Sequence, residues 1–230
     1  MKIDLPFHQS WIGEEEHLEV ADTLSSGWLT TGPKTKKFEE AFSDYIGCKH
    51  AIALNSCTAG LNLALEVQGF PDGDEVITTP MTFPATANVI LLQRMKPVLV
   101  DIESGTLLID PKKIEEKITP RTRAIIPVHF AGHPCDMDTI NTLAERYNLL
   151  VIEDAAHALE TKFKGKKVGN MGNTTSFSFY ANKNITTGEG GMVVTDDDDL
   201  AEQFQTMRLQ GISRDAWKRY GKSGYTHWEQ

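Results

Sequence analysis

Four segments of this chain carry residue types that could do chemistry. Lys183 is one of sixteen lysines, but it lies in the stretch Tyr180-Ala181-Asn182-Lys183-Asn184-Ile185, which holds no other charge, and a glycine turn ending at Gly190-Gly191 follows. An amine drawn out of water has a lowered pKa and becomes a usable nucleophile. The plainer reading is a solvated surface lysine. The run Glu153-Asp154-Ala155-Ala156-His157 places two adjacent acids at the end of an apolar stretch. Buried acids are costly unless paired. Asp154 could hold a cationic ring nitrogen, and His157 could reach the same ligand. The alternative is helix capping by Asp154 and a satisfied histidine.

The run Asn55-Ser56-Cys57-Thr58-Ala59-Gly60 is small and hydroxylic and opens a helix. Backbone N–H groups at such a start cradle an anion such as a phosphate. Plain capping by Ser56 or Thr58 explains the same residues without a ligand. Neither GxxxxGK followed by Ser or Thr nor GxGxxG is present, which argues against the familiar nucleotide loops. Phe83 lies between Pro80 and Pro84. Its ring could lie against a flat cofactor; taken singly, it reads as a core plug. His129 and His133 stand near Cys135, but Gly132 and Pro134 interrupt any helix that would align them. They read as loop histidines, and no metal site is expected.

Elements must bring these segments together. Apolar periodicity predicts strands at 51–54, 75–79, 97–100, 124–128, 149–152, 175–179 and 192–195. Helices are predicted at 14–24, 36–45, 59–67, 85–93, 111–117, 137–147 and 200–209. The strand runs are continuous and apolar, as in Leu149-Leu150-Val151-Ile152, which suits strands buried on both faces. Strand and helix alternate, so the class is α/β. The last two strands are joined by a glycine-rich loop without a helix, so one of them runs antiparallel. Ligands of open α/β sheets sit at the carboxyl ends of strands, and all four segments follow a predicted strand. The acid run Asp196 to Asp199 precedes the last helix and complements its dipole.

Composition bounds the function. The chain has 230 residues, 40% of them hydrophobic and 24% charged, consistent with one large globular domain. A net charge of −9 argues against a general nucleic-acid binder, which needs a basic face. Cys48, Cys57 and Cys135 are an odd, widely spaced set that reads as reduced thiols in a cytoplasm. The first residues lack a signal-peptide apolar core, and no stretch reaches the ~18 apolar residues of a membrane span.

Taken in order, the segments resemble the DegT/DnrJ/EryC1/StrS family of pyridoxal-phosphate (PLP) sugar aminotransferases. The resemblance rests on Gly27-Trp28-Leu29-Thr30-Thr31-Gly32-Pro33, the runs from Asn55, Thr82 and Glu153, the stretch from Ser176 to Gly191, and the tail from Leu209 to Tyr220. It implies the large domain of PLP-dependent aminotransferase fold type I, a mostly parallel mixed sheet flanked by helices. It also implies roles. Lys183 holds the cofactor aldehyde and then moves the proton; Asp154 pairs with the pyridinium nitrogen. His157 stands near the ring 3-hydroxyl, Phe83 stacks on the ring face, and Thr58, Ala59 and Ser178 hold the phosphate.

A family branch with histidine at position 183 dehydrates instead, so Lys183 implies amino transfer. Glutamate is the expected donor and a nucleotide-linked keto sugar the expected acceptor, of the 4-amino-4,6-dideoxyhexose or 4-aminoarabinose type. A homodimer with shared active sites is expected, with no nucleic acid and no membrane as partner. Family members continue into a smaller C-terminal domain. Residues 1–230 are therefore expected to be an N-terminal arm plus the PLP-binding large domain, with the small domain missing. The competing expectation is a truncated, non-catalytic PLP-binding or regulatory partner of a full-length aminotransferase.

Overall fold

The computed structural model describes residues 6 and 8–212; the part of the tail from Ser213 to Tyr220 lies outside them. Two helices come first, α1 (Glu14–Ser26) and α2 (Pro33–Ile46), and strand β1 (His50–Leu54) follows. Then come α3 (Cys57–Glu66), β2 (Glu75–Thr78), α4 (Pro84–Leu92), β3 (Lys96–Leu99) and the short α5 (Pro111–Ile114), which continues as a 3-10 turn over Glu115–Lys117. Next are β4 (Thr122–Ile125), α6 (Met137–Tyr147) and β5 (Leu150–Asp154). A small hairpin, β6 (Lys162–Phe163) and β7 (Lys166–Lys167), precedes β8 (Thr174–Ser178), β9 (Gly191–Thr195) and α7 (Asp198–Met207).

Seven strands form one sheet in the order β1-β9-β8-β5-β4-β2-β3. β9 pairs antiparallel with both β1 and β8, and every other pairing in this sheet is parallel. The antiparallel member is thus the strand that enters from the glycine loop, as the missing crossover helix requires. β1, β2, β4, β5 and β8 consequently end on one edge of the sheet, and β9 begins there.

Side chains alternate between the two faces of the sheet. Ile52, Val76, Ile152 and Val193 pack under α3, α4 and α7 with Leu61, Leu65, Val89, Ile90 and Phe204. Ile77, Ile125 and Val151 pack on the opposite face with Ile114, Ile140 and Leu143 of α5 and α6. Phe42 of α2 meets Phe177 of β8 and Phe179 just beyond it edge-on, with centroids 5.3 and 5.6 Å away. Each of these buried aliphatic or aromatic side chains stabilises the fold by about 1.5–3 kcal/mol relative to exposure.

Local signals set the element ends. Asp136 caps α6 by accepting from Thr139 N–H, and Asn148 closes it in the left-handed region at φ 52°. Asp197 caps α7 by accepting from the N–H groups of Asp199 and Leu200, while Asp198 pairs with Lys49 and His50. The acid run is a helix start, as expected. The β6–β7 hairpin was not expected: its strands are two residues each and lysine-rich, and its turn is set by Lys164 and Gly165 at φ 47° and 86°.

Candidate active site

The anion cradle forms where β1 hands over to α3. Ser56 is the N-cap, and its Oγ accepts from Ala59 N–H at 3.1 Å. The capping reading therefore holds for Ser56 and engages the Ala59 amide. The N–H groups of Cys57 and Thr58 have no protein acceptor among the described residues. Thr58 is exposed, Ala59 half-buried, and Ser178 half-buried at the end of β8. Two glycines let α3 press on the sheet. A Cβ on Gly60 would lie 2.2 Å from Ser176 Oγ, and one on Gly191 would lie 2.3 Å from the Ser56 carbonyl carbon. Ser176 Oγ donates to Cys57 O at 2.9 Å across the same contact. Free amides, a helix dipole and two hydroxyls make this start suited to a phosphate.

Phe83 is the N-cap of α4, with Pro84 as the first helical residue. Its side chain is 76% exposed. The core-plug alternative is thereby corrected: the ring stands at the sheet edge because the two flanking prolines hold the loop away from the core.

β5 runs two residues beyond its predicted end, so Glu153 and Asp154 lie inside the strand. The pleat sends them to opposite faces. Glu153 is fully buried; it accepts from His129 Nε2 at 2.8 Å and from Asn173 Nδ2 at 2.9 Å. The Cys135 N–H points at His129 Nδ1, 3.1 Å away, so that nitrogen accepts and the ring proton sits on Nε2, facing Glu153. His129 lies in the loop after β4, as expected, but there it is a buried structural partner, whereas His133 is exposed. Among the described residues no group of three or more metal-binding side chains occurs.

Asp154 is 4% exposed. Its Oδ1 accepts from Ala156 N–H at 3.1 Å and faces the Cys57 thiol at 3.9 Å; its Oδ2 accepts from Thr86 Oγ1 at 2.7 Å. A turn rather than a helix follows, which sets aside the helix-cap alternative. Burial pushes the Cys57 thiol well above its usual 9, so it stays neutral beside this carboxylate.

Lys183 follows β8 in a loop folded back on Phe179, whose carbonyl accepts from Thr187 N–H and Thr186 Oγ1. Ser10 Oγ donates to Ala181 O and ties the N-terminal arm to the same loop. Lys183 is half-buried, and its ammonium makes no hydrogen bond or ion pair among the described residues. Burial lowers its pKa from the usual 10.5, and the Asp154 carboxylate opposes that shift only in part. His157 is exposed at its rim. Partial desolvation, and then the Lys183 ammonium, hold it below its usual 6.5, so it is neutral at pH 7. Lys183, Asp154 and His157 thus act on one another electrostatically, although they come from two strand ends.

The residues fit PLP by their chemistry. An unpaired, partly desolvated amine suits an aldehyde; a buried carboxylate suits a ring cation; a helix start suits a phosphate; a free aromatic ring suits a flat heterocycle. A cavity of about 1180 Å³ adjoins the cradle, lined by Trp28, Lys34, Asn55, Ala59, Asn62 and Thr187 among others. It shares Ala59 with the start of α3 and Thr187 with the segment after Lys183. Neither a role for Thr86 nor the pairing of Glu153 with His129 was expected from the sequence. The spacing of Thr82 and Thr86 across a proline-led helix start was the available signal for the first; nothing local signals the second.

Comparison with known proteins identifies the family. The chain is 62% identical to the uncharacterized protein MJ1066 of Methanocaldococcus jannaschii. It is 51% identical to the spore coat polysaccharide biosynthesis protein SpsC of Bacillus subtilis. Each match covers 98% of this chain and 58% of the relative, so the chain spans somewhat over half the length of these relatives. The putative sugar aminotransferase Spr1654 of Streptococcus pneumoniae, solved in PLP and PMP forms, is 39% identical. Its PMP form superposes with a TM-score of 0.87 over 94% of this chain and 59% of that one. The family pattern itself matches residues 10–227. This chain belongs to the DegT/DnrJ/EryC1/StrS aminotransferase family.

Proposed function

We propose that this chain is the cofactor-binding part of a PLP-dependent aminotransferase that moves an amino group from glutamate to a nucleotide-linked keto sugar, of the 4-amino-4,6-dideoxyhexose or 4-aminoarabinose type. One observation carries the reading. A half-buried Lys183 amine with no hydrogen bond or ion pair among the described residues shares the sheet edge with the buried Asp154 carboxylate and the start of α3. The family membership and the sugar aminotransferase relatives support it.

When bound, PLP supplies an aldehyde and a ring that accepts electrons from the reacting carbon. The protein does the rest. Lys183 is the amine that engages the aldehyde, and its lowered pKa favours the neutral, nucleophilic form. As a free amine, Lys183 would take a proton from the donor α-carbon and, in the second half-reaction, return one to the sugar carbon. Asp154 would hold the ring nitrogen protonated, and Phe83 would lie against the ring. Neutral His157 would serve the ring 3-hydroxyl. The Cys57 and Thr58 amides, with the Thr58 and Ser178 hydroxyls, would anchor the phosphate; Ala59 would line the cradle through its position rather than its committed N–H. The cavity of about 1180 Å³ beside the cradle has room for a substrate larger than a simple keto acid.

We assign the reaction to the cytoplasm, where Cys48, Cys57 and Cys135 stay unpaired as they are here; among the described residues no helix is long and apolar enough to cross a membrane. A homodimer is supported by the apolar residues left exposed on one end of the chain, Trp11, Leu18, Leu24 and Leu29. The test is a PLP titration of the chain read in the near-ultraviolet and visible. A cofactor band that is present in wild type and lost in Lys183→Ala is expected. No band in folded protein overturns the reading. A band that glutamate fails to discharge favours the non-catalytic partner instead.

A further inference from the structure

Thr86 is fully buried in the first turn of α4, and none of the chemistry above uses it. Its Oγ1 lies 2.7 Å from Asp154 Oδ2 and 2.7 Å from Thr82 Oγ1. Counting protons gives the direction of both bonds. An ionised carboxylate only accepts, and a threonine hydroxyl has a single proton. Thr86 therefore donates to Asp154, and Thr82 must donate to Thr86. Aligned donors of this kind polarise one another and strengthen the last bond.

The two threonines also bracket Phe83 and Pro84. Pro84 presets the first helical residue, so the Thr82–Thr86 bond closes the loop from which Phe83 projects. The same hydroxyls thus hold the Asp154 carboxylate and close the loop that carries Phe83. Oδ1 of Asp154 is fixed from the other side by Ala156 N–H.

We propose that Thr86, oriented by Thr82, is a positioning residue that sets the Asp154 carboxylate and the Phe83 ring in one preorganised unit, so that the partner of the ring nitrogen and the cover of the ring face arrive together. This rests on the PLP reading above. Thr86 acts through Asp154 and the Phe83 loop and touches no substrate or cofactor.

The experiment titrates PLP into the full chain carrying Thr86→Val, Thr86→Ser, Thr82→Val or Asp154→Ala, and into the double variant Thr86→Val/Asp154→Ala. Three quantities are read: PLP affinity, the pH midpoint of the cofactor band, and the melting temperature without cofactor. Thr86→Val is expected to bind PLP about tenfold more weakly and to shift the pH midpoint, as loss of a hydrogen bond to a charged group predicts. Thr86→Ser restores the hydroxyl and stays within about threefold of wild type, and Thr82→Val falls between. In the double variant Thr86→Val costs clearly less than it does alone, because its route through Asp154 is gone and only its hold on the Phe83 loop remains.

Wild-type affinity and titration in Thr86→Val overturn the proposal. So does equal damage from Thr86→Ser, which would trace the effect to packing, and so does an additive double variant. If Thr86→Val does not fold, Thr82→Val decides by the same two readouts. A wild-type chain that never develops a band overturns the PLP reading and this inference with it, which no variant comparison can mimic.

Discussion

Gly191→Ala tests whether the anion cradle depends on the close approach of α3 to the sheet. Gly191 opens β9 and pairs with Leu54 on one side and Ser178 on the other. A methyl there would lie 2.3 Å from the Ser56 carbonyl carbon and 2.5 Å from both Ser56 O and Cys57 N. All three are backbone atoms at the helix start, so no side chain can swing aside. Non-bonded carbons settle near ~3.5–4.0 Å, so the helix start must retreat by roughly 1 Å. Overpacking of this kind costs about 1–3 kcal/mol, or a melting-temperature loss of about 2–4 °C for each kcal/mol in a domain of this size.

The cofactor should suffer more than the fold. The Cys57 and Thr58 amides move with the displaced backbone, and each hydrogen bond to a charged group contributes about 1.5–3 kcal/mol. PLP affinity is therefore expected to fall by about tenfold to a hundredfold. The assay is a thermal melt without cofactor beside a PLP titration. Gly105→Ala serves as the control, since a Cβ there meets nothing within 4 Å. A Gly191→Ala chain that melts with wild type and keeps its PLP affinity would refute the steric argument and the cradle built on it.

Two further outcomes follow from charge. The folded-state pKa of Lys183 is lowered by burial, so the folded chain binds fewer protons than the unfolded one between that value and 10.5; the wild type is penalised below the lowered pKa and recovers as pH rises towards 10.5. Lys183→Met removes the penalty, so its melting-temperature gain over wild type should be largest at neutral pH and shrink with rising pH; a gain that is flat with pH refutes this. Arg208 and Glu39 form a largely buried ion pair that also receives Ala53 N–H and reaches Ala53 O, securing the end of β1. Arg208→Leu or Glu39→Leu alone should cost about 3–5 kcal/mol in urea unfolding and the double variant clearly less than the sum, because each single change strands a buried charge; strict additivity refutes it.

Much of the fold was legible because its signals are local. The ends of α6, Met137 and Tyr147, were legible, since a capping aspartate, an amphipathic stripe and a left-handed asparagine lie within a dozen residues of one another. The antiparallel entry of β9 followed from a loop too short and too glycine-rich for a crossover helix. The β5 boundary was misread for the opposite reason. Apolar character ends at Ile152, but Glu153 stays in the strand because His129 and Asn173 reach it from separate segments.

The site divides along the same line. Residue type and order along the chain already named an amine, a carboxylate, a hydroxylic helix start and a ring between prolines, because those chemistries belong to side chains and short spacings. Whether Phe83 plugged the core or stood free, whether Asp154 capped a helix, and what His129 packed against were open. Those questions turned on strand order, which places β1, β8 and β5 close together although 97 residues separate Cys57 from Asp154. Contacts over such separations depend on how the sheet closes around its core, and no window of sequence contains that information.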